Sequence, residues 1–503
     1  MAAIPAWPIK TRDPPGQMRA PESGALCPTV ALFFSAALAL VAASTWGGTA
    51  EGNGNLNPAF VPARASFVYV DLNRAVNGSG LSPADPTNGL PPRLGDGRQL
   101  LFNSDNGVQA VPCGNDAIFV TGNDIRISSY GSGRATVSGF QIMEGGWSQV
   151  GTSRVWRRSF AGGASGAGPV VGSVIDLSST HESPAGDVLA WQNLEAVGDK
   201  LGIFRSDPTV LPVGGYAYDW EQLVMYVNVG ADPNHRQLGI SCVGYFVNSL
   251  RGERPFRVSI HNLRLTGFAR DAVNIMGDAN HWHIHDNDIY AMGGMYNVRS
   301  KWYFGSAIQM SQDANNIEID HNRIIQTFDS PITAQHFARS NGGYVHDLRI
   351  HDNFIDGWAL GAVELSDFGA SNRFSNITIE DNVAINGGQG FSRTGDTPQG
   401  YTDGIQVRGG GRSTFSNLVI RRNRISAHDS NIVIGGNNFA DAIIIENNVL
   451  SDARYGIRNR RAHNASIRAT GNTLCGNTVQ IDDAAAGSHY VNNKLVAEGC
   501  ASK

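Results

Sequence analysis

One phrase governs the second half of this chain: two runs of alternating apolar and polar side chains with an asparagine between them. It reads "NNIEIDHNRIIQTFDSPITAQ" at residues 315–335 and returns as "FRVSIHNLRLTGFARDAVNIM", "WHIHDNDIY", "LRIHDNFIDGWALGAVELS", "ITIEDNVAIN", "LVIRRNRISAHDSNIVIGG", "IIIENNVLSDARYGIRNR", "SIRATGNTLCGNTVQID" and a frayed "HYVNNKLVAEG". The recurring asparagines are Asn262, Asn287, Asn322, Asn353, Asn382, Asn423, Asn448, Asn472 and Asn493, spaced by 25, 35, 31, 29, 41, 25, 24 and 21 residues. A short minimum period with longer excursions is the mark of a solenoid carrying loop insertions.

The period-two alternation assigns the coils to strands, and no 3.6-residue stripe competes with it. In the first run Ile284, Ile319, Ile350, Ile379, Ile420 and Ile445 each stand three residues before their asparagine. In the second run an inward column reads Val273, Ile308, Ile332, Val363, Ile405, Ile432, Ile457 and Val479. A single coil cannot bury such a face, but stacked coils pairing in parallel form one aliphatic core. The asparagines are expected to bond amide to amide from coil to coil, in a turn that tolerates the left-handed conformation.

With these features the sequence resembles the right-handed parallel β-helix superfamily, the solenoid of pectate lyases, polygalacturonases, alginate lyases and epimerases, and phage tailspikes. The resemblance is strongest over residues 255–497. It implies an all-β fold and a carbohydrate-directed function, while leaving the chemistry open, because such a scaffold hosts several reactions.

Composition fits that expectation. Sixty glycines and 17% charged residues suit a turn-rich β protein, and a net charge of -5 with interspersed signs offers no footprint for nucleic acid. The apolar run "VALFFSAALALVAA", Val30 to Ala43, has the length of a signal-peptide core and is short for a membrane span. Residues 1–50 are therefore read as a cleaved leader or an N-terminal anchor, with a start at Met18 leaving Arg19 as positive flank. A secreted, periplasmic or cell-surface monomer is expected. After the leader, Cys113, Cys242, Cys475 and Cys500 remain, and four thiols allow three pairings. Cys475 and Cys500 lie 25 residues apart, about one coil, so a bond between them would staple the end of the solenoid; free thiols are the alternative.

Two segments interrupt the repeat. "FVYVDLNRAVNGSGLSPADPTNG" and "AIFVTGNDIRISSYGSGRATVSG" read as opening coils, whereas aromatic-rich strands such as "GTSRVWRRSF" and "YAYDWEQLVMYVNVGADP" replace the repeat further on. Both features resemble extracellular β-helix glycosidases with a β-rich insertion. The expected organisation is first coils at 60–144, an inserted β-rich domain at 145–240 and the main parallel β-helix at 241–500.

A groove on a solenoid needs walls, and insertions supply them. The two longest excursions, "AMGGMYNVRSKWYFGS" at 291–306 and "GGQGFSRTGDTPQGYTDG" at 387–404, both fall between first and second runs and flank the coils of Asn322 and Asn353. They offer Tyr296, Trp302, Tyr303, Phe391 and Tyr401 as flat faces for sugar rings, with Arg299, Lys301 and Arg393 among them. The outward column of the second run reads Asn274, Gln309, Thr333, Glu364, Gln406, Val433, Arg458, so Glu364 is its single carboxylate. Asp367 follows it, and Asp329 and Asp403 precede the inward Ile332 and Ile405 on adjacent coils. Carboxylates one or two coils apart, about 5 to 10 Å, span the separations used by retaining and inverting glycosidases. Solvent-facing or turn roles are the plainer reading of any one of them. His336, after the Asp329 strand, is a candidate proton shuttle or an ordinary surface histidine, and His261, His283, His285, His321 and His351 read as a solvated ladder.

Three functions compete. A glycoside hydrolase would use a carboxylate pair from Glu364, Asp329, Asp403 and Asp367, with Lys301, Trp302, Tyr303, His336, Arg393 and Tyr401 binding substrate and no cofactor. A polysaccharide lyase or C5-epimerase would need Lys301 or His336 as base and an arginine or calcium to neutralise a uronate; the sequence lacks a "YGFDPH"-like phrase and the paired-aspartate motif of polygalacturonases. A non-catalytic carbohydrate-binding or adhesive solenoid is the third.

Overall fold

The computed structural model describes residues 65–161, 163–165, 168–178, 187–188, 190–191, 207–219, 222–249, 252–297, 302–336, 341–368, 371–388, 402–409, 413–435, 439–460, 466–483, 487–497 and 500. The apolar run 30–43 lies outside them, and among the described residues no helix is long and apolar enough to cross a membrane.

Each coil contributes three strands, not two, because the first run bends at its asparagine into two. The strands before the corner form a 12-stranded sheet from Ser66–Val70 to His489–Val491, here the first sheet. Those after the corner form an 11-stranded second sheet from Val108–Ala110 to Lys494–Val496. A third, also of 11 strands, runs from Arg93–Leu94 to Val479–Asp483. Each is parallel throughout, and crossovers between parallel strands of one sheet take the right hand. The chain is a right-handed parallel β-helix.

Register confirms the inward columns. Ile284, Ile319, Ile350, Ile379, Ile420 and Ile445 are successive partners in the first sheet, all 0% exposed. In the third sheet Val273, Ile308, Ile332, Val363, Ile405, Ile432 and Ile457 follow one another, but the next partner is Ile481; Val479 pairs with Tyr455 and is exposed. At this frayed end the sequence offers two aliphatic residues two apart, and pairing selects the second.

The asparagine ladder is continuous from Asn287 through Asn322, Asn353, Asn382, Asn423, Asn448 and Asn472 to Asn493, each Nδ2 donating to the next Oδ1 at 2.9–3.0 Å. Two details differ from expectation. The left-handed residue is the one before the ladder asparagine, as at Asp286, His321, Asp352 and Asp381. Asn262 is itself that left-handed residue, with φ 55°, and Leu263 occupies its ladder position, donating its backbone N–H to Asn287 Oδ1. Extended backbone lets the ladder side chain turn inward, while the preceding residue makes the corner.

Among the described residues, a β-rich module interrupts the solenoid after its first coils. Phe140–Glu144 and Gln237–Ser241 pair antiparallel within a four-stranded sheet, and between them in sequence come a mainly antiparallel five-stranded sheet and a two-stranded ribbon, with a core of Trp147, Tyr216, Tyr218, Met225 and Val227. The coil resumes at Val243–Ser249, which pairs in parallel with Gly114–Val120. A disulfide joins Cys113 to Cys242 at this junction, and a second joins Cys475 to Cys500 across the last coil, with Cα–Cα separations of 4.9 and 5.3 Å.

Candidate active site

The outer face of the third sheet is polar yet buried. Its central column is Asn248, Asn274, Gln309, Thr333, Glu364, Gln406, Val433 and Arg458, partnered in that order. Glu364 is 5% exposed and Gln406 0%, whereas the outside of an antiparallel or solenoid sheet is usually wet.

A second outward column lies upstream, created by a slip in the alternation. Ala272–Val273, Ala307–Ile308 and Ala362–Val363 are consecutive residues that both enter the core. The residue before each pair therefore returns to the outside: Asp271, Ser306 and Gly361, with Ser330 and Asp403 at the equivalent positions. A Cβ on Gly361 would collide with the Gln406 side chain, and one on Gly404 would enter the core against Ile425. Asp403 is thus turned toward the same outer face as Glu364.

Glu364 is held by three hydroxyls. Ser330 Oγ donates to Oε2 at 3.0 Å, Thr333 Oγ1 donates to the same oxygen at 3.4 Å, and Ser366 Oγ donates to Oε1. Ser330 follows Asp329, so the chain that orients Glu364 also carries the second carboxylate. Asp329 acts on Asp271, whose carboxyl is pushed up to about 8 by burial and by the Asp329 charge, while the Ser306 N–H and Arg270 pull the other way. Ser306 N–H reaches Asp271 Oδ1 at 2.9 Å.

On the far side of Glu364, burial pushes Asp403 up to about 6, against Arg460 and Arg408 and with help from Asp429. Arg460 stands 3.9 Å from Asp403 and 2.9 Å from Asp429, and Arg458 reaches Asp429 at 3.3 Å. Several buried atoms of this face have no hydrogen-bond partner: Asp271 Oδ2, Asn274 Oδ1, both oxygens of Asp403, both amide atoms of Gln406 and Arg408 Nη2. Buried polar groups are nearly always satisfied, by protein, ordered water or a bound molecule, so this face has polar atoms left over from the protein's own bonding.

The sequence-selected residues divide three ways. Asp329 and Asp403 lie on the coils either side of Glu364: Ser330, next to Asp329, bonds Glu364, and Asp403 stands on the strand paired with that of Glu364. Asp367 and His336 are register partners two or more residues further along, both buried, at the end of the strand. Asp367 accepts from Asn372 at 2.8 Å, and His336 is 0% exposed, packs edge-on against Phe374 and has its basicity lowered by burial. His336 is therefore no surface histidine. Of the walls, Lys301, Arg299, Arg393, Phe391 and Tyr401 lie outside the described residues, as do the side chains of Tyr296, Trp302 and Tyr303. The backbones of Met295–Asn297 and Trp302–Phe304 form an antiparallel hairpin. Both excursions leave between the second and third strands of their coils, not the first and second, a consequence of the extra corner at the asparagine.

Sequence reasoning missed Asp271, Asp429, Arg408 and Arg460, along with one whole wall. Phe328, the residue before Asp329, belongs to the same apolar cluster as Trp147, Tyr216 and Met225 of the inserted module, so that module stands beside the carboxylates. Among the described residues, the histidine and carboxylate ligand atoms close enough to share a metal are on the first sheet, not here.

The architecture places this chain in the class of right-handed parallel β-helix proteins. No family model matches it, and no curated protein does. Among solved structures it is similar to XylC in complex with xylose, at 12% identity and TM-score 0.44, covering 85% of this chain and 70% of that one. A hyperthermoactive exopolygalacturonase from Thermotoga maritima gives 11% identity and TM-score 0.43, covering 80% and 81%. The GH136 lacto-N-biosidase from Eubacterium ramulus gives 12% and 0.40, covering 85% and 68%. At these values they carry no argument about substrate or catalytic residues here.

Proposed function

We propose that the protein is a glycoside hydrolase that binds an oligosaccharide or polysaccharide along the outer face of the third sheet. The observation that carries this reading is the set of buried polar atoms without a protein hydrogen-bond partner, Asp271 Oδ2, Asn274 Oδ1 and the Gln406 amide, on either side of a carboxylate oriented by three hydroxyls. A chain of sugar hydroxyls satisfies such a set, and apolar ligands do not. Glu364 acts as base or nucleophile at the anomeric carbon. Asp403, held protonated to about pH 6 by its burial, gives its proton to the leaving oxygen. Asp271 and Asp329 form the opposite acidic pair and position the sugar on the other side of the scissile bond.

The test is a screen of the purified protein on neutral and uronate polysaccharides, reading new reducing ends and absorbance near 235 nm, with Glu364→Gln alongside. Reducing ends without absorbance, reduced roughly 10²–10⁴-fold in the variant, support the hydrolase. Absorbance would instead identify elimination from a uronate. Binding without turnover on every substrate would leave a carbohydrate-binding solenoid.

A further inference from the structure

The outer face of the first sheet carries a cluster of different composition, on a different sheet from the carboxylates above. Two columns cross there: His283 pairs with Glu318 and Glu318 with Arg349, while His285 pairs with Asp320 and Asp320 with His351. The contacts run diagonally. His283 Nε2 meets Asp320 Oδ1, and His351 Nε2 meets Glu318 Oε1 at 2.9 Å. One ligand atom from each of Glu318, Asp320 and His351 lies within 4.8 Å of the others. Asp320 and His351 are buried, and Glu318 is half-buried.

The hydrogen-bond count at His351 calls for one positive charge, on the ring or beside it. Its Nδ1 faces Asp352 Oδ2 at 2.7 Å and its Nε2 faces Glu318. A neutral imidazole has one N–H, so with both nitrogens against carboxylates one lone pair would oppose an anionic oxygen. A doubly protonated ring resolves this, and so does a neutral ring whose Nε2 binds a cation. The second arrangement has the carboxylate–histidine–metal order, in which Asp352 fixes the tautomer from behind. Around the site, His321 Nδ1 meets Asp320 Oδ2 at 2.6 Å, His285 stacks on His283 with centroids 3.9 Å apart, and Arg349 reaches Glu318 at 3.1 Å. Arg349 also holds Glu380 at 2.9 Å and keeps that partner if Glu318 turns to a metal.

We propose that Glu318, Asp320 and His351 form a site for a divalent transition metal of the zinc class that ties together two successive coils, with His283 bonded to Asp320 beside it. One imidazole beside two carboxylates, with the fourth position left to water, suits zinc-class ions better than calcium, which takes six to eight oxygens.

The experiment uses the untagged full chain, stripped with chelator and titrated with Zn²⁺, then with Co²⁺ as spectroscopic substitute. One equivalent bound, visible Co²⁺ bands of a four-coordinate site and a Tm raised by Zn²⁺ are expected. Binding should weaken more than tenfold in the pair Asp320→Asn with His351→Gln and roughly 10–100-fold in Asp352→Asn, while His346→Gln, on the strand of His351, leaves it unchanged. Should the double variant fail the circular-dichroism check for folding, Glu318→Gln serves in its place. The proposal is overturned by the absence of stoichiometric Zn²⁺ binding, or by equal binding in folded variants and parent; His351 is then held as a doubly protonated ring. Ca²⁺ binding in preference to Zn²⁺ overturns it as well.

Discussion

At the scale of single residues, the candidate site is a problem of charge removed from water. Asp403 has its carboxyl raised from 3.8 to about 6, chiefly by burial. Between those values the folded chain keeps a proton that the unfolded chain releases. The stability this group contributes is therefore complete below about pH 4 and is lost as pH rises through 6. Asp403→Asn should narrow the difference in Tm between about pH 4.5 and pH 7.5, measured by scanning calorimetry; a difference as wide as the parent's would show that Asp403 is not held protonated. If Asp403 is also the acid, the alkaline limb of the kcat/KM profile begins near 6 and disappears in the variant. Glu364 could be picked out from the sequence as the single carboxylate of its outward column, and Asp403 because it stands two residues before the inward Ile405. Asp271 could not, since "RDAV" reads as a turn and two consecutive core residues are needed to face it outward. Nor could the burial of His336, which depends on Phe374 two coils further on.

At the scale of elements, the ladder and the corner before it divide the work of each turn. Asn382 Nδ2 donates to Asn423 Oδ1, to Ile350 O and to Glu380 O, and its Oδ1 accepts from Asn353. Removing that side chain leaves buried donors and acceptors on both neighbours unsatisfied. Asn382→Ala is expected to lower stability by roughly 1–3 kcal/mol in urea unfolding, and Asn493→Ala, at the half-buried end of the ladder, by less. Equal losses at both sites would indicate that the ladder's interior bonds add nothing beyond local turn geometry. The repeat spacing made the ladder legible, but the left-handed position varies among Asp, His, Arg, Asn and Gly and has no fixed letter to align. That variation is why Asn262, in the left-handed position, passes for a ladder member and why one run conceals two strands.

At the scale of the whole molecule, two covalent bonds reinforce a solenoid that is otherwise held by contacts between adjacent coils. The Cys113–Cys242 bond closes a sequence separation of 129 residues at the base of the inserted module. Replacing both cysteines by alanine is expected to remove roughly 2–4 kcal/mol, read as a lower Tm with the far-ultraviolet spectrum of the β-helix retained. No change in Tm would show that strand pairing alone secures the base. The sequence reveals an insertion, because the repeat stops, but not where it packs. That depends on Phe328, one aromatic residue in a main-helix turn, finding the module's core.

The geometry of that base has a further consequence. The backbone N–H of Cys242 donates to the carbonyl of Gly139, 3.0 Å away, so the chain departs from the coil and rejoins it within one hydrogen bond. Seen from the β-helix, about a hundred residues have been spliced into a seam without altering the stacking on either side. Such a graft can be exchanged, trimmed or enlarged while the stacked coils keep their register. The module packed against Phe328 can then change shape between descendants of this chain while the carboxylates of the coils stay where the stacking puts them.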